Sequence, residues 1–151
     1  MIKAKIKICG VKDIQIAKHA IKCGASYLGF IFFEKSKRNI KTDKCKEILN
    51  EIQGNINTVA VTVNPTEKDL DIYSKMKFTH LQLHGNESLE EVKKISEKYN
   101  FKIIKSFSIN SESNLLKIDK YCEFIDYILL DSKQKKDMPG GTGETFDWKI
   151  I

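Results

Sequence analysis

The sequence predicts an α/β fold built on a curved parallel sheet, and three observations carry that expectation. Strand-like and helix-like patterns alternate along all 151 residues without a linker or low-complexity stretch, the signature of right-handed βαβ units. Each helical stretch is short and carries its own start or stop signal. Polar residues gather at the C-terminal ends of nearly every strand: Cys9, Glu34 to Arg38, Asn64, Gln82 and His84, Lys105 and Ser106, Asp131 and Ser132.

The elements follow in order. The first strand is read over 2–9 (IKAKIKIC), where period-two alternation puts Lys3, Lys5, Lys7 and Cys9 on one face and Ile2, Ala4, Ile6 and Ile8 on the other. A helix over 13–23 runs to Gly24, in the place where a helix-ending glycine belongs. A strand over 26–32 (SYLGFIF) leads to a helix over 43–53, followed by Gly54. The strand over 57–63 (NTVAVTV) precedes a helix over 67–77, opened by Thr66-x-x-Asp69, a capping box with Asp in the acidic role. The strand over 79–84 (THLQLH) precedes a helix over 88–99, opened by Ser88-x-x-Glu91. A strand over 101–108 (FKIIKSFS), a helix over 112–122 and a strand over 126–131 (DYILLD) complete the pattern, and a last helix begins at Phe146.

A parallel sheet is either doubly wound or closed into a barrel. A dinucleotide-binding fold requires GxGxxG after the first strand, whereas this turn reads Cys9-Gly10-Val11-Lys12. Open sheets bind ligands mainly at one switch point, while barrels build sites from every strand end. The reading is therefore a (β/α)8 TIM-barrel fold. A closed barrel takes eight strands and at least roughly 200 residues, so residues 1–151 read as one incomplete domain, truncated to about six βα units. Its first and sixth strands are expected to be unpaired edges, which invite association into a homodimer.

Composition removes other classes. Hydrophobic residues make up 41%, enough for a real core and too many for a disordered chain. No apolar run approaches the roughly 18 residues of a membrane span. MIKAKIKICG has no apolar leader core, so a cytoplasmic product is expected. The formal charge is +6, but Arg38 is the only arginine, leaving 25 lysines of 26 basic residues (26 − 1). Nucleic-acid readers favour arginine; lysines scattered among acids, as in EEVKKISEK, read as solvated faces, and no nucleic-acid partner is expected. Cys9, Cys23, Cys45 and Cys122 show no CxxC or zinc spacing, so no metal site is expected. The last three read as small packing residues.

Cys9 stands apart. In a barrel the isoleucine face packs on helices, which turns Lys7 and Cys9 into the mouth. A lysine on the same face favours the thiolate, making Cys9 a candidate base, although this strand alone equally fits an inert buried cysteine. Asp131 ends the sixth strand after a largely apolar run; a carboxyl group in such surroundings keeps its proton and can act as an acid, or it simply caps a loop. The glycine-rich stretch 139–145 (PGGTGET) could fold over a ligand, and it lacks the Gly-Lys-Ser/Thr of a nucleotide loop.

KICG (7–10), GFIFFEKSKR (29–38), VAVTVN (59–64), LQLHG (81–85), LLDS (129–132) and GGTGETFDW (140–148) occur in this order. Together they closely resemble the phosphoribosylanthranilate isomerase family of tryptophan biosynthesis, from residue 5 to the end. The resemblance implies a TIM-barrel enzyme, here without the family's C-terminal quarter. It also implies a cofactor-free Amadori rearrangement of a small phosphorylated substrate, N-(5′-phosphoribosyl)anthranilate. In it an acid protonates the ribose ring oxygen, the ring opens to a Schiff base, and a base removes the C2′ proton. The matching acid is Asp131 and the matching base Cys9. Arg38 matches the position that contacts the anthranilate carboxylate, for which a guanidinium fork is suited. Gln82 and His84 are expected to line the pocket, with Lys7 pairing with Asp131 or tuning Cys9, and Gly140 and Gly141 on the phosphate side. His80 and His19 are expected to be structural. Two departures stand out: Lys37 where many members have proline, and Glu144 where many have lysine. Competing readings are a pentose-phosphate epimerase-like barrel, for which His84 and Asp131 are too few metal ligands, and a non-catalytic barrel remnant.

Overall fold

The computed structural model describes residues 4–52, 54–109, 115–132 and 149. One parallel sheet runs through them in chain order: β1 (Lys7–Cys9), β2 (Tyr27–Phe32), β3 (Asn57–Thr62), β4 (His80–Leu83), β5 (Lys102–Ser108) and β6 (Tyr127–Asp131). Between them lie α1 (Ile14–Lys22), α2 (Thr42–Glu51), α3 (Glu67–Ser74) and α4 (Leu89–Lys98). Every pairing joins chain neighbours, and β1 and β6 do not pair with each other. The six-strand expectation with two open edges is met.

Local chemistry sets the helix ends. The Asp13 carboxylate accepts the backbone N–H of Gln15 at 2.7 Å and of Ile16 at 3.2 Å, starting α1. Gly24, at φ +89°, ends it by donating to the Ile21 carbonyl, while Ala25 donates to the Ala20 carbonyl. That crossed pair of bonds satisfies carbonyls the helix leaves open. The boxes at Thr66/Asp69 and Ser88/Glu91 form reciprocally.

The sheet has two apolar faces. On the convex face Leu28, Phe30, Ala60, Leu81, Leu83 and Ile103 bury against Ala17, Ile48, Leu70, Tyr73, Val92 and Ile95 of the helices. Each large aliphatic side chain removed from water contributes roughly 1.5–3 kcal/mol. The concave face holds Tyr27, Ile31, Val59, Val61 and Ile104, with Cys9 and Leu129 packed on them. Its curvature is strong. In a flat sheet, strands three places apart lie about 14 Å from one another, yet Lys7 Nζ of β1 is 2.7 Å from Gln82 Oε1 of β4.

Four expectations change. Ile6 and Ile8 do not pack under helices but are 53% and 38% exposed, because β1 has neighbours on one side only. The helix over 112–122 is partly outside the described residues; the described part forms a 3₁₀ turn at Asp119–Tyr121. Leu115, Ile118, Tyr121 and Phe124 are its inward residues, and a spacing of three matches the three residues per turn of a 3₁₀ helix. Cys23 and Cys122 are exposed; only Cys45 is a packing cysteine, fully buried on α2. His19 is exposed on α1 rather than buried. The 139–145 stretch with Gly140 and Gly141 lies outside the described residues, as does the helix from Phe146 except Lys149.

Candidate active site

At the end of β1, Cys9 is half-buried on the concave face, paired in register with Gly29 of β2. A Cβ on Gly29 would stand 3.0 Å from Cys9 Sγ and 3.4 Å from Lys7 Cε. The absent side chain at 29 is what gives both groups their space. The chain then turns through Gly10 at φ +84°, where a Cβ would meet Arg38 Cδ at 2.6 Å. Arg38 lies against this turn and donates from Nη1 to the Cys9 carbonyl at 2.9 Å. The sequence motif containing Gly29 was visible, but the role of this glycine was not.

From β4 and the residue directly after it two polar side chains point to the same concavity. Gln82 is buried; its Oε1 accepts from Lys7 Nζ, and its Nε2 is 2.9 Å from His84 Nδ1. His84 Nε2 in turn lies 3.3 Å from Asp131 Oδ2 at the end of β6. The other carboxyl oxygen, Oδ1, accepts the backbone N–H of Ser132 at 2.9 Å. Lys7 thus reaches Gln82, and it is His84 that meets Asp131. Burial pushes the His84 imidazole below its usual range; Asp131 and Glu87 oppose that shift, while Lys7 and Lys105 add to it. His80 sits deeper, its Nδ1 2.7 Å from Thr79 Oγ1 and its ring between Tyr27 and Tyr127, a structural position as expected.

One part of the rim was missed. Lys105 Nζ and Glu87 Oε2 are 3.0 Å apart with side chains only 4% and 3% exposed. The Glu87 carboxylate also accepts the backbone N–H groups of Asn64 and Gly85, and Lys105 donates to the Gly85 and Ser106 carbonyls. This pair ties the loops after β3 and β4 to β5, beneath the turn that carries His84. Among the described residues no group of three or more His, Cys, Asp or Glu is placed to hold a metal ion, and no helix is long and apolar enough to cross a membrane.

The family model described as N-(5′-phosphoribosyl)anthranilate (PRA) isomerase matches residues 6–151. The chain belongs to the PRA isomerase family. The N-(5′-phosphoribosyl)anthranilate isomerase of Allorhizobium ampelinum is 42% identical across 99% of this chain and 68% of its own length. That of Rhizobium meliloti is 39% identical, with 99% and 71% covered. The phosphoribosyl anthranilate isomerase crystal structure from Thermotoga maritima superposes with a TM-score of 0.86 at 36% identity, covering 99% of this chain and 70% of that one. A PRA isomerase crystallised with reduced 1-(o-carboxyphenylamino)-1-deoxyribulose 5-phosphate matches with a TM-score of 0.79 at 34% identity, covering 87% and 66%. The six-stranded half-barrel described above is therefore a large part of a (β/α)8 PRA isomerase barrel, and the chain spans about two thirds of its relatives' length.

Proposed function

We propose that this chain binds N-(5′-phosphoribosyl)anthranilate and carries the acid and base of its Amadori rearrangement. The observation that supports this best is the concave-face grouping: a thiol with an adjacent guanidinium at the end of β1, and a carboxyl group at the end of β6, connected through β4. Asp131 gives a proton to the ribose ring oxygen as the C1′–O bond breaks, leaving an open-chain Schiff base. The Cys9 thiolate then takes the C2′ proton, and the enolamine tautomerises to the ketone. Both groups move protons in the transition state, so their removal lowers turnover more than binding. Arg38, anchored on the carbonyl of the base, offers its free fork to the anthranilate carboxylate. Lys7, Gln82 and His84 line the pocket; the phosphate-side role that the family resemblance gives Gly140 and Gly141 falls outside the described residues. Two unpaired parallel edges favour self-association, so a homodimer is part of the proposal.

The test is a single-turnover assay of the full chain at high protein concentration, following loss of the substrate's anthranilate fluorescence. Conversion faster than the uncatalysed rearrangement, abolished by Cys9→Ala and by Asp131→Asn, is the expected result. Equal rates in wild type and both variants would show the chemistry to be misassigned.

A further inference from the structure

We propose that His84 is a positioning residue for Asp131, clamped by Lys7 and Gln82 as the neutral tautomer with its proton on Nε2, so that this N–H faces Oδ2 of the acid. The proposal deepens the reading of Asp131 as the acid and rests on it.

The clamp follows from donor and acceptor counting. A lysine ammonium has three donors and no acceptor, so the Gln82 atom 2.7 Å from Lys7 Nζ is the amide oxygen. That fixes the other end of the amide, a donor only, against His84 Nδ1 at 2.9 Å. A ring nitrogen facing a donor presents its lone pair, which leaves the ring proton on Nε2. Nε2 is the atom 3.3 Å from Asp131 Oδ2. Protonating Nδ1 would require the Gln82 amide to rotate, turning its NH₂ group toward Lys7 and losing that bond. The three contacts bridge β1, β4 and β6 on the concave face of the sheet.

The chemistry explains why neutrality matters. An imidazolium this close would hold the carboxyl group ionised and unable to deliver a proton. A neutral N–H orients the same oxygen without the full positive charge and so favours the ionised form far less, while the Ser132 N–H steadies the other. The charged groups acting on the ring are Lys7 from β1, Glu87 from the loop after β4, Lys105 from β5 and Asp131 from β6. Burial and the two lysines keep the ring neutral against the two carboxylates.

The experiment is ¹⁵N NMR of the imidazoles in the full 151-residue chain, whose nitrogen shifts distinguish the two neutral tautomers from the cation. The expected result is a neutral His84 with the proton on Nε2 at pH 7. In Gln82→Glu, a carboxylate facing Nδ1 makes the ring cationic at pH 7, and turnover in the fluorescence assay falls at least tenfold with KM changed less than twofold. Gln82→Leu removes the clamp without adding charge; its ring populates both neutral tautomers, which keeps the idea testable should Gln82→Glu fail to fold. A wild-type ring protonated on Nδ1, a wild-type ring cationic at pH 7, or unchanged turnover in a cationic Gln82→Glu variant would overturn the proposal. Absence of any wild-type turnover would count against the isomerase reading alone, since the tautomer is read without substrate.

Discussion

Replacing Lys105 by methionine tests the buried pair beneath the His84 turn. The substitution keeps most of the volume and leaves the Glu87 carboxylate enclosed without its cation, 3% exposed. Removing one partner of a buried pair costs about 3–5 kcal/mol, because the remaining charge is desolvated and uncompensated. Two backbone N–H bonds to Glu87 survive, from Asn64 and Gly85, which places the expectation near 3 kcal/mol, the low end of that range. For a chain of this size each 1 kcal/mol moves Tm by roughly 2–4 °C, so a loss of about 6–12 °C is expected. Adding Glu87→Gln removes the stranded charge while keeping an oxygen for the same two N–H groups. The double variant should therefore be more stable than the sum of the single losses by about 1–3 kcal/mol. Lys18→Ala is the control: its pairing with Glu51 is 3.4 Å long but more than half exposed on both sides, and such pairs are worth at most about 1 kcal/mol. Urea unfolding of the wild type, the three single variants and the double variant measures all of this. A Lys105→Met cost no larger than that of Lys18→Ala, or strict additivity in the double variant, would refute the reasoning.

Four other outcomes are expected. His80 and His84 are both held below the usual imidazole range by burial; the unfolded chain takes up their protons first as pH falls, so stability is full above about pH 6.5 and declines below it, which a urea-midpoint series in wild type and His80→Gln measures as a shallower slope in the variant. With a thiol reagent, exposed Cys23 and Cys122 react first and half-buried Cys9 later, whereas Cys45, its thiol pushed up to about 12 by burial, reacts only on unfolding. Gly29→Ala puts a Cβ 3.0 Å from Cys9 Sγ and is expected to cost about 1–3 kcal/mol by overpacking while slowing single turnover more than tenfold, a result read from the same two assays. Finally, the 151-residue chain by itself should turn over substrate about three to six decades slower than the full-length T. maritima relative: barrels of this class hold phosphate with loops after their last strands, about three lost bonds to a charged group remove on the order of 5–9 kcal/mol, and each 1.4 kcal/mol is about tenfold. Side-by-side fluorescence assays decide it, and comparable rates would point to copies that complete one another.

What was legible in the sequence was whatever depends on parity and local chemistry. Period-two alternation placed Lys7 and Cys9 together and Gln82 with His84, because a strand cannot present neighbouring residues to one face. Thr66 and Ser88 announced helix starts through bonds that span only three residues, and Gly24 announced a helix end. Long-range choices were not legible. Lys105 stood out only as one of the polar strand ends and nothing local distinguishes Glu87 from the other acids, since their pairing is created by the approach of two loops to β5. The family resemblance had Lys7 pairing with Asp131 or tuning Cys9; sheet curvature brings its ammonium to Gln82, and it is His84 that meets Asp131. The segment from Leu115 to Phe124 misled through its extra apolar residues: Leu116 and Cys122 widen a spacing of three into one that looks helical, yet both are exposed.

The open edges and the site are the same question. Cys9, the proposed base, is on β1 and Asp131, the proposed acid, is on β6, the two strands that lack a second neighbour among the described residues. Neither strand is held in place by pairing on its outer side, so their relative position depends on concave-face contacts: Lys7 to Gln82, His84 to Asp131, and His80 between Tyr27 and Tyr127. All three are made from β4 or from His84, the residue directly after it, and β4 is bonded on both sides and has every residue buried. β4 therefore acts as the fixed member against which both edges are set. A lost contact on β4 should then loosen both ends of the site at once, whereas a surface change on β1 or β6 should affect only its own end. This asymmetry makes Gln82, which touches both the Lys7 and His84 branches, the residue on which the separation of Cys9 and Asp131 most depends.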